Sequence, residues 1–318
     1  MDFNLRSLYF SLLFLITIYG FPIKASSNID TLDSIPRQTI RKIPKLEEPK
    51  IYPKEIIVRH FAYSLVYDTS FRIAKWVGYV LSKENLNGIY QRTDNFMPDP
   101  ELRKYTDNDE DYRSSGFDRG HLVPAADMRW SQTAIIESFY YSNMTPQKIS
   151  FNRGIWSRLE AEIRGWAEKE EILYIVCGPV LEKNLSSIGK NKITVPNLFF
   201  KAILAYQPPV MKGIAFLIPN NDTKNDLKNY AITIDSLESI INLDLFPLLP
   251  DLEERQIEGT ICPSCWGPEK KVKYITTNTN NRDSHSSAQC SGLTSKGIRC
   301  KNKTTNKNGY CHVHQRSQ

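Results

Sequence analysis

Phe117-Asp118-Arg119-Gly120-His121 and, thirty-one residues beyond the histidine, Phe151-Asn152-Arg153-Gly154-Ile155-Trp156 are the stretches on which the reading of this chain turns. Histidine has an ordinary pKa of ~6.5, so a neutral imidazole at His121 can take a proton from water. The amide oxygen of Asn152 is a neutral, hard donor that leaves a cation such as Mg²⁺ its full charge. Arg119 stands two residues before His121, and guanidinium groups bind phosphate oxygens two at a time. A base, a hard-cation ligand and phosphate-binding arginines are the parts that phosphodiester hydrolysis requires.

Each residue also has a plainer explanation. A histidine after glycine is commonly a core or surface residue, and asparagine is a favoured helix cap. Working outward, Asn152 to Glu168 carries apolar residues at 155, 156, 159, 163 and 166, the spacing of an amphipathic helix. Asn152, Trp156, Glu160 and Arg164 lie four apart, so a regular helix would set them along one stripe. Glu160 and Arg164 would also serve as an ordinary i,i+4 ion pair. Upstream, Ile56 to Tyr67 and Ala74 to Leu81 are rich in aromatic and β-branched residues and read as strands. Residues 92–116 read as a long surface loop, and Ser131 to Tyr141 as a helix capped by Ser131. Strands are expected at Ile172–Val176, Phe199–Ala205 and Ile214–Ile218, with a short helix near Ser236–Ile241. Strands and helices without regular βαβ alternation argue for an α+β fold.

The run Asp118-Arg119-Gly120-His121-Leu122-Val123-Pro124-Ala125-Ala126-Asp127, then Ser142-Asn143-Met144-Thr145-Pro146-Gln147, then Asn152 with Trp156 and Leu159-Glu160, resembles the DNA/RNA non-specific endonuclease family. The resemblance covers about Arg59 to Phe246. It implies a central antiparallel sheet flanked by helices, with a ββα-metal motif around His121 and Asn152. It also implies His121 as general base, Asn152 as the main ligand of Mg²⁺ (or Mn²⁺), and Glu160 holding a water of that ion's shell. Arg119, Arg164 and Arg92, the last in Arg92-Thr93-Asp94-Asn95-Phe96, are the phosphate clamps. Nothing in the sequence reads bases, which fits an enzyme that grips the backbone of both DNA and RNA.

The remainder of the chain is organised around that domain. Residues 1–25 hold Arg6, an apolar run from Leu8 to Ile18 and a cleavage-like Ile23-Lys24-Ala25, and read as a secretory signal peptide. Mitochondrial presequences are arginine-rich and amphipathic, whereas this leader has one arginine, so a secreted or periplasmic protein is expected. No other run is long enough to span a bilayer, so no stable membrane association is expected once the signal is removed. Residues 26–52, with Pro36, Pro44 and Pro49, read as a linker or extended arm, residues 53–267 as the endonuclease domain, and residues 268–289 as a polar linker. From Pro268 onward ten Lys or Arg face only Glu269 and Asp283, so this tail carries +8 of a net +6 and residues 1–267 carry −2. General attraction to polyanions thus resides in the tail, and the main domain must concentrate its positive charge locally.

Residues 290–318 form a small piece in which Cys290, Cys300 and Cys311 precede His314 by spacings that suit a Cys3His zinc site. So short a segment cannot bury a core and needs a staple. His312 is an alternative fourth ligand. In an exported protein disulfides compete with zinc, since six cysteines (177, 262, 265, 290, 300, 311) are an even number. Cys262-Pro263-Ser264-Cys265 is open to a local disulfide, a metal half-site or a redox pair.

The resulting expectation is an exported, metal-dependent, sugar-non-specific endonuclease leaving 5′-phosphate ends, with a homodimer left open. A catalytically silent nucleic-acid- or protein-binding protein that keeps the fold is the alternative from another class. It has no need of His121, Asn152 and Glu160 together. A toxin or effector nuclease aimed by its tail is the third reading.

Overall fold

The computed structural model describes residues 44–106, 109–207, 210–222 and 224–267, and then 288–293, 297, 299–304, 309–311 and 313–314. The chain divides after Gly267 into two compact units, each taken by itself below. The stretches read as signal peptide (1–25), most of the arm (26–43) and most of the polar linker (268–287) lie outside the described residues.

In chain order the first unit has strands β1 (Ile56–Arg59), β2 (Tyr63–Asp68), β3 (Ile73–Ser82), β4 (Phe117–His121), β5 (Met144–Lys148) and β6 (Ile172–Pro179). A short pair follows, β7 (Ser187–Ile188) and β8 (Ile193–Thr194), then β9 (Leu198–Gln207), β10 (Val210–Pro219) and β11 (Ala231–Ile232). Seven of these make one sheet in the order β1-β2-β3-β6-β9-β10-β11, with every neighbouring pair antiparallel. The principal helices are α1 (Gln132–Glu137), α2 (Ser157–Glu170), α3 (Ile234–Ile241) and α4 (Asp251–Glu258). The expected α+β fold with a central antiparallel sheet is present.

Period-2 alternation explains how the sheet is covered on both faces. Leu173, Ile175 and Cys177 of β6 join one core with Leu159 and Ile163 of α2. Ile172, Tyr174 and Val176 join another with Ile234 and Leu237 of α3 and Ile257 of α4. Burial on both sides makes β6 apolar along its length rather than alternating. The chain between β3 and β6 builds the region that matters for function. There β4 pairs antiparallel with β5, placing His121 opposite Met144, and β5 runs directly into the helical segment that ends as α2.

Several elements differ from the sequence reading. Ser131 does cap α1, its side chain accepting from the Ala134 amide, but the helix stops at Glu137. The expected single helix from Asn152 is interrupted by a π-helical turn, Asn152–Trp156, within which Gly154 (φ −107°, ψ −109°) is non-helical. Trp156 is buried rather than on a site-facing stripe. Residues 92–116 are anchored: Met97 exchanges backbone hydrogen bonds with Phe139 (3.2 Å) and Tyr141 (3.0 Å), and Asp99, Leu102, Asp111 and Tyr112 are buried. Helix α4 went unread because its eight residues hold four acids and few apolar positions. Cys262 and Cys265 form a disulfide, next to Trp266, which is buried against Trp166 of α2 at 5.0 Å.

The described end of the arm, residues 44–50, is packed down. Leu46 is fully buried in the α3–α4 face, and a Cβ on Gly78 of β3 would stand 2.1 Å from the Glu47 carbonyl oxygen. Backbone cannot retreat as a flexible side chain would. Gly78→Ala should therefore destabilise the protein by about 1–3 kcal/mol, lowering Tm in a calorimetric scan by roughly 3 to 10 °C. An unchanged Tm would mean that this stretch is not held against the sheet.

Candidate active site and metal centre

His121 ends β4 with only 8% of its surface exposed. The next turn is held by Asn143: its Oδ1 accepts from the Val123 amide (2.9 Å) and its Nδ2 donates to the Val123 and Ser138 carbonyls (3.0 and 2.8 Å). Gly120 is required by its partner strand, because a Cβ there would meet the Gln147 side chain at 2.1 Å. The imidazole lies between the rings of Phe139 (5.0 Å, edge-on) and Phe96 (5.8 Å). Its Nε2 is buried and has no hydrogen-bond partner among the described residues. Burial first, then the charges of Arg92 and Arg119, pull its pKa down to about 3. His121 is thus a neutral imidazole with one free lone pair.

Asn152 enters from the π-turn. Its Nδ2 donates to Asp118 Oδ2 at 2.9 Å. A carboxylate only accepts, so this contact decides which way the amide faces. Among the described residues no donor reaches Oδ1. Asp118 is itself gripped by Arg153 through two hydrogen bonds of 2.9 Å. Burial alone would raise the Asp118 pKa, but Arg153 and Asn152 outweigh it and hold it below the usual carboxylate range. A hard donor aimed away from its support fits a divalent cation.

The three arginines expected to clamp phosphate are each paired with an aspartate. Arg92 pairs with Asp94 (2.6 Å), Arg119 with Asp109, and Arg164 with Asp127 (2.9 Å). Arg119 also lies over the Phe96 ring (4.1 Å) and Arg92 over Phe139 (5.2 Å). Two aromatic rings therefore carry Arg92, Arg119 and the histidine. Arg164 is different, since its partner Asp127 is 1% exposed and also accepts from Tyr79 Oη at 3.0 Å. Glu160 has no ion pair among the described residues. Burial, opposed by the charge of Lys201 and reinforced by that of Asp127, raises its pKa to about 7. A cavity of about 790 Å³ is lined by His60, Phe61 and Trp130 and holds none of these groups. A smaller one of about 260 Å³ reaches Asp118 and Arg119.

The profile of the DNA/RNA non-specific endonuclease family matches residues 50–252, well over half the chain. The chain belongs to this family. It is 34% identical to the mitochondrial nuclease EXOG of Danio rerio over 58% of this chain and 59% of that protein. It is 34% identical to human mitochondrial endonuclease G over 58% and 68%, and to nuclease C1 of Cunninghamella echinulata over 59% and 81%. The chain thus spans about three-fifths of the length of the EXOG relatives. A solved complex of EndoG with its inhibitor EndoGI superposes with a TM-score of 0.59 and 28% identity, over 63% of this chain and 88% of that one.

These relatives correct the expected address. EXOG and endonuclease G are mitochondrial proteins, which points to mitochondria rather than to secretion or the periplasm. The physical reason is that an apolar leader with one arginine was weighed by composition alone, and composition does not specify which membrane machinery receives it.

The family core also contains groups that the sequence reading passed over. Asp118 was taken as motif rather than as the support of Asn152. Phe96 and Phe139 were not singled out. Lys201 is the clearest omission: it is wholly buried in β9 on the site-facing side, with its ammonium over Trp156 at 4.7 Å and donating to the Leu122 carbonyl at 3.4 Å. A single charge inside Leu-Phe-Phe-Lys-Ala-Ile-Leu was the available signal.

In the second unit Ala288–Gln289 pairs with Lys303–Thr304. Cys290, Cys300 and Cys311 are buried free thiols, and their sulfurs with a His314 nitrogen lie within 4.8 Å of one another. Nδ1 of His314 is 3.6 Å from Cys290 Sγ and 3.5 Å from Cys311 Sγ, and the Cys300 and Cys311 sulfurs are 3.9 Å apart. Tetrahedral zinc with Zn–S of ~2.3 Å and Zn–N of ~2.0 Å needs edges of about 3.5 to 3.8 Å. Nε2 of His314 bonds the Leu293 carbonyl (2.8 Å), which assigns the proton there and frees Nδ1 as the ligand atom. His312 lies outside the described residues.

The pH dependence of stability follows from Glu160. Its pKa is raised from 4.5 to about 7, so between those values the folded chain holds the proton more tightly than the unfolded one. Stability therefore falls as pH rises through that window. Glu160→Gln removes the penalty. In chelator it should be more stable than the native chain by about 1–3 kcal/mol at pH 8 and equal to it near pH 4.5. Denaturant titration at both values checks this, and equal stabilities at pH 8 would refute the buried-carboxylate account.

Proposed function

We propose that the protein is a metal-dependent endonuclease that hydrolyses phosphodiester bonds of DNA and RNA without regard to sugar. The observation that carries this reading is the buried, partnerless Nε2 of neutral His121, on the same strand as the Asp118 that orients the Asn152 amide.

In this reading His121 Nε2 accepts the proton of the attacking water. Asn152 Oδ1 would hold Mg²⁺ or Mn²⁺, and Glu160, on the helix that follows Asn152, would orient water of that ion's shell. When bound, the ion supplies Lewis-acid charge against the negative charge developing on the phosphate and the leaving 3′ oxygen. Arg92 and Arg119 exchange part of their contact with Asp94 and Asp109 for phosphate oxygens. A guanidinium has five donors, so one carboxylate does not exhaust it. Arg164 is fixed by buried Asp127 and presents its remaining donors in one orientation. No base-reading group is needed, in keeping with a substrate recognised through its backbone.

His121→Ala should lower the cleavage rate of plasmid and of RNA by ~10² to 10⁴ without loss of fold; cutting at the native rate would refute the base. Asn152→Ala should shift the Mg²⁺ dependence of the rate to higher concentration, whereas Arg164→Ala should leave that curve in place and weaken substrate binding. Superimposable Mg²⁺ curves for native and Asn152→Ala would remove the ligand assignment.

We further infer that the second unit is a Cys3His zinc module, because its four ligand atoms have the spacing and the fixed histidine tautomer described above. About one zinc per chain is expected by metal analysis of the purified protein, falling to none in Cys300→Ser. Zinc-free native protein would overturn the assignment. The ten basic residues of the tail give this part a role in holding long nucleic acid through counterion release.

A further inference from the structure

Far along the chain from His121, helices α3 and α4 bring three carboxylates together at the edge of the sheet. Asp235 and Glu238 come from α3 and Glu258 from the last turn of α4. One oxygen of each lies within 4.8 Å of the others. Acidic groups gather on many surfaces without consequence, but Glu258 is not on the surface. It is 3% exposed, and its Oε1 is buried without a hydrogen-bond partner. None of the three carboxylates joins an ion pair among the described residues. A buried carboxylate with an unpaired oxygen, in reach of two other carboxylates, is costly unless something positive stands among them.

Among the described residues no Lys or Arg pairs with these carboxylates. Asp244 and Glu254 add further negative charge to the same corner. Lys50 is engaged with Asp244 at 4.0 Å and is largely exposed. Arg255, whose charge acts on Glu254, turns its Nε to the Asp251 carbonyl. Glu238 is held in place because Oε1 accepts from the Leu245 amide at 2.6 Å, leaving Oε2 for another partner. The donor set is all oxygen and all carboxylate, the preference of a hard divalent ion. Calcium takes such ligands at ~2.3 to 2.6 Å, so oxygens around it stand up to about 5 Å apart. The observed spacing falls inside that limit.

We propose that Asp235, Glu238 and Glu258 form a Ca²⁺ site that staples α3 to α4, separate from the catalytic cation site. Its ligands come from two helices packed on the same strand, β10, so the ion closes the end of the catalytic unit rather than taking part in cleavage.

The test uses the full-length chain with Asn152→Ala, so that binding at the catalytic position does not contribute. After passage over a chelating resin, 10 mM CaCl₂ should raise Tm by roughly 5 to 10 °C for a site with Kd on the order of 0.1 mM. Adding Glu258→Gln should abolish most of that rise, while itself raising Tm in calcium-free buffer by removing repulsion. Should Glu258→Gln fail to fold, Asp235→Asn at an exposed position gives the same reading. In the otherwise native chain Glu258→Gln should leave the Mg²⁺-supported cleavage rate unchanged. No calcium-dependent shift in the Asn152→Ala chain would overturn the proposal; that outcome identifies three carboxyl groups sharing protons. An equal shift with and without Glu258 would overturn it as well, by placing the ion elsewhere.

Discussion

The hydrogen bond from Asn152 Nδ2 to Asp118 Oδ2 is the contact on which the proposed chemistry depends. It joins β4, which carries His121, to the helical segment after β5, and it decides which end of the amide faces outward. The π-turn is its backbone counterpart. An uninterrupted α-helix would carry Asn152 round on a 100° step, whereas the wider turn admits one extra residue. Arg153, adjacent in sequence, closes the arrangement by gripping the same aspartate. Three residues of two separate motifs, Asp118 of the first and Asn152-Arg153 of the second, thus explain each other without reference to a ligand.

Behind that contact lies a group of charges which stability alone would not select. Asp127, Glu160, Arg164 and Lys201 are gathered against Tyr79 and Trp156. Taking such charges out of water is expensive, and mutual attraction only partly offsets it. The raised pKa values of Asp127 and Glu160, with burial as the leading cause, record the shortfall. A site that must orient a cation and meet a polyanion benefits from charges already fixed in place, because they need no reorganisation when substrate arrives. Stability is given up for that preorganisation.

Much of this was legible in the chain. Runs rich in apolar, aromatic and β-branched residues located β2, β3, β6, β9 and β10, and the motif residues His121, Asn152, Glu160, Arg164, Arg119 and Arg92 are linked through shared charges and contacts. What was not legible has physical causes. The Arg164–Asp127 and Arg119–Asp109 pairs join residues 37 and 10 apart in sequence, and no local rule relates them. The π-turn escaped because an apolar pattern at 155, 156 and 159 satisfies either helix type. Lys201 was hidden inside a strand whose other side chains define it as core. Helix α4 was too acidic to show an apolar face, and that same acidity supplies Glu258 to the proposed calcium site.

Donor chemistry separates the metal positions proposed here. A single amide oxygen, aimed outward, holds a hard ion loosely and leaves most of its coordination free for phosphate. Three carboxylates on two helices would enclose a hard ion more fully and leave little for a substrate. Three thiolates and an imidazole close a tetrahedron completely and favour a softer ion that never exchanges ligands in turnover. The number of protein ligands therefore runs opposite to catalytic use. Where the chain offers one donor the ion is available for chemistry, and where it offers three or four the ion substitutes for packing that the local sequence lacks. The C-terminal unit shows the second case most plainly, since its buried cluster consists of its three cysteines with Tyr310 packed beside them. With no other core among its described residues, that unit would owe its shape to a metal held by the three cysteines and His314 if the proposed site is filled.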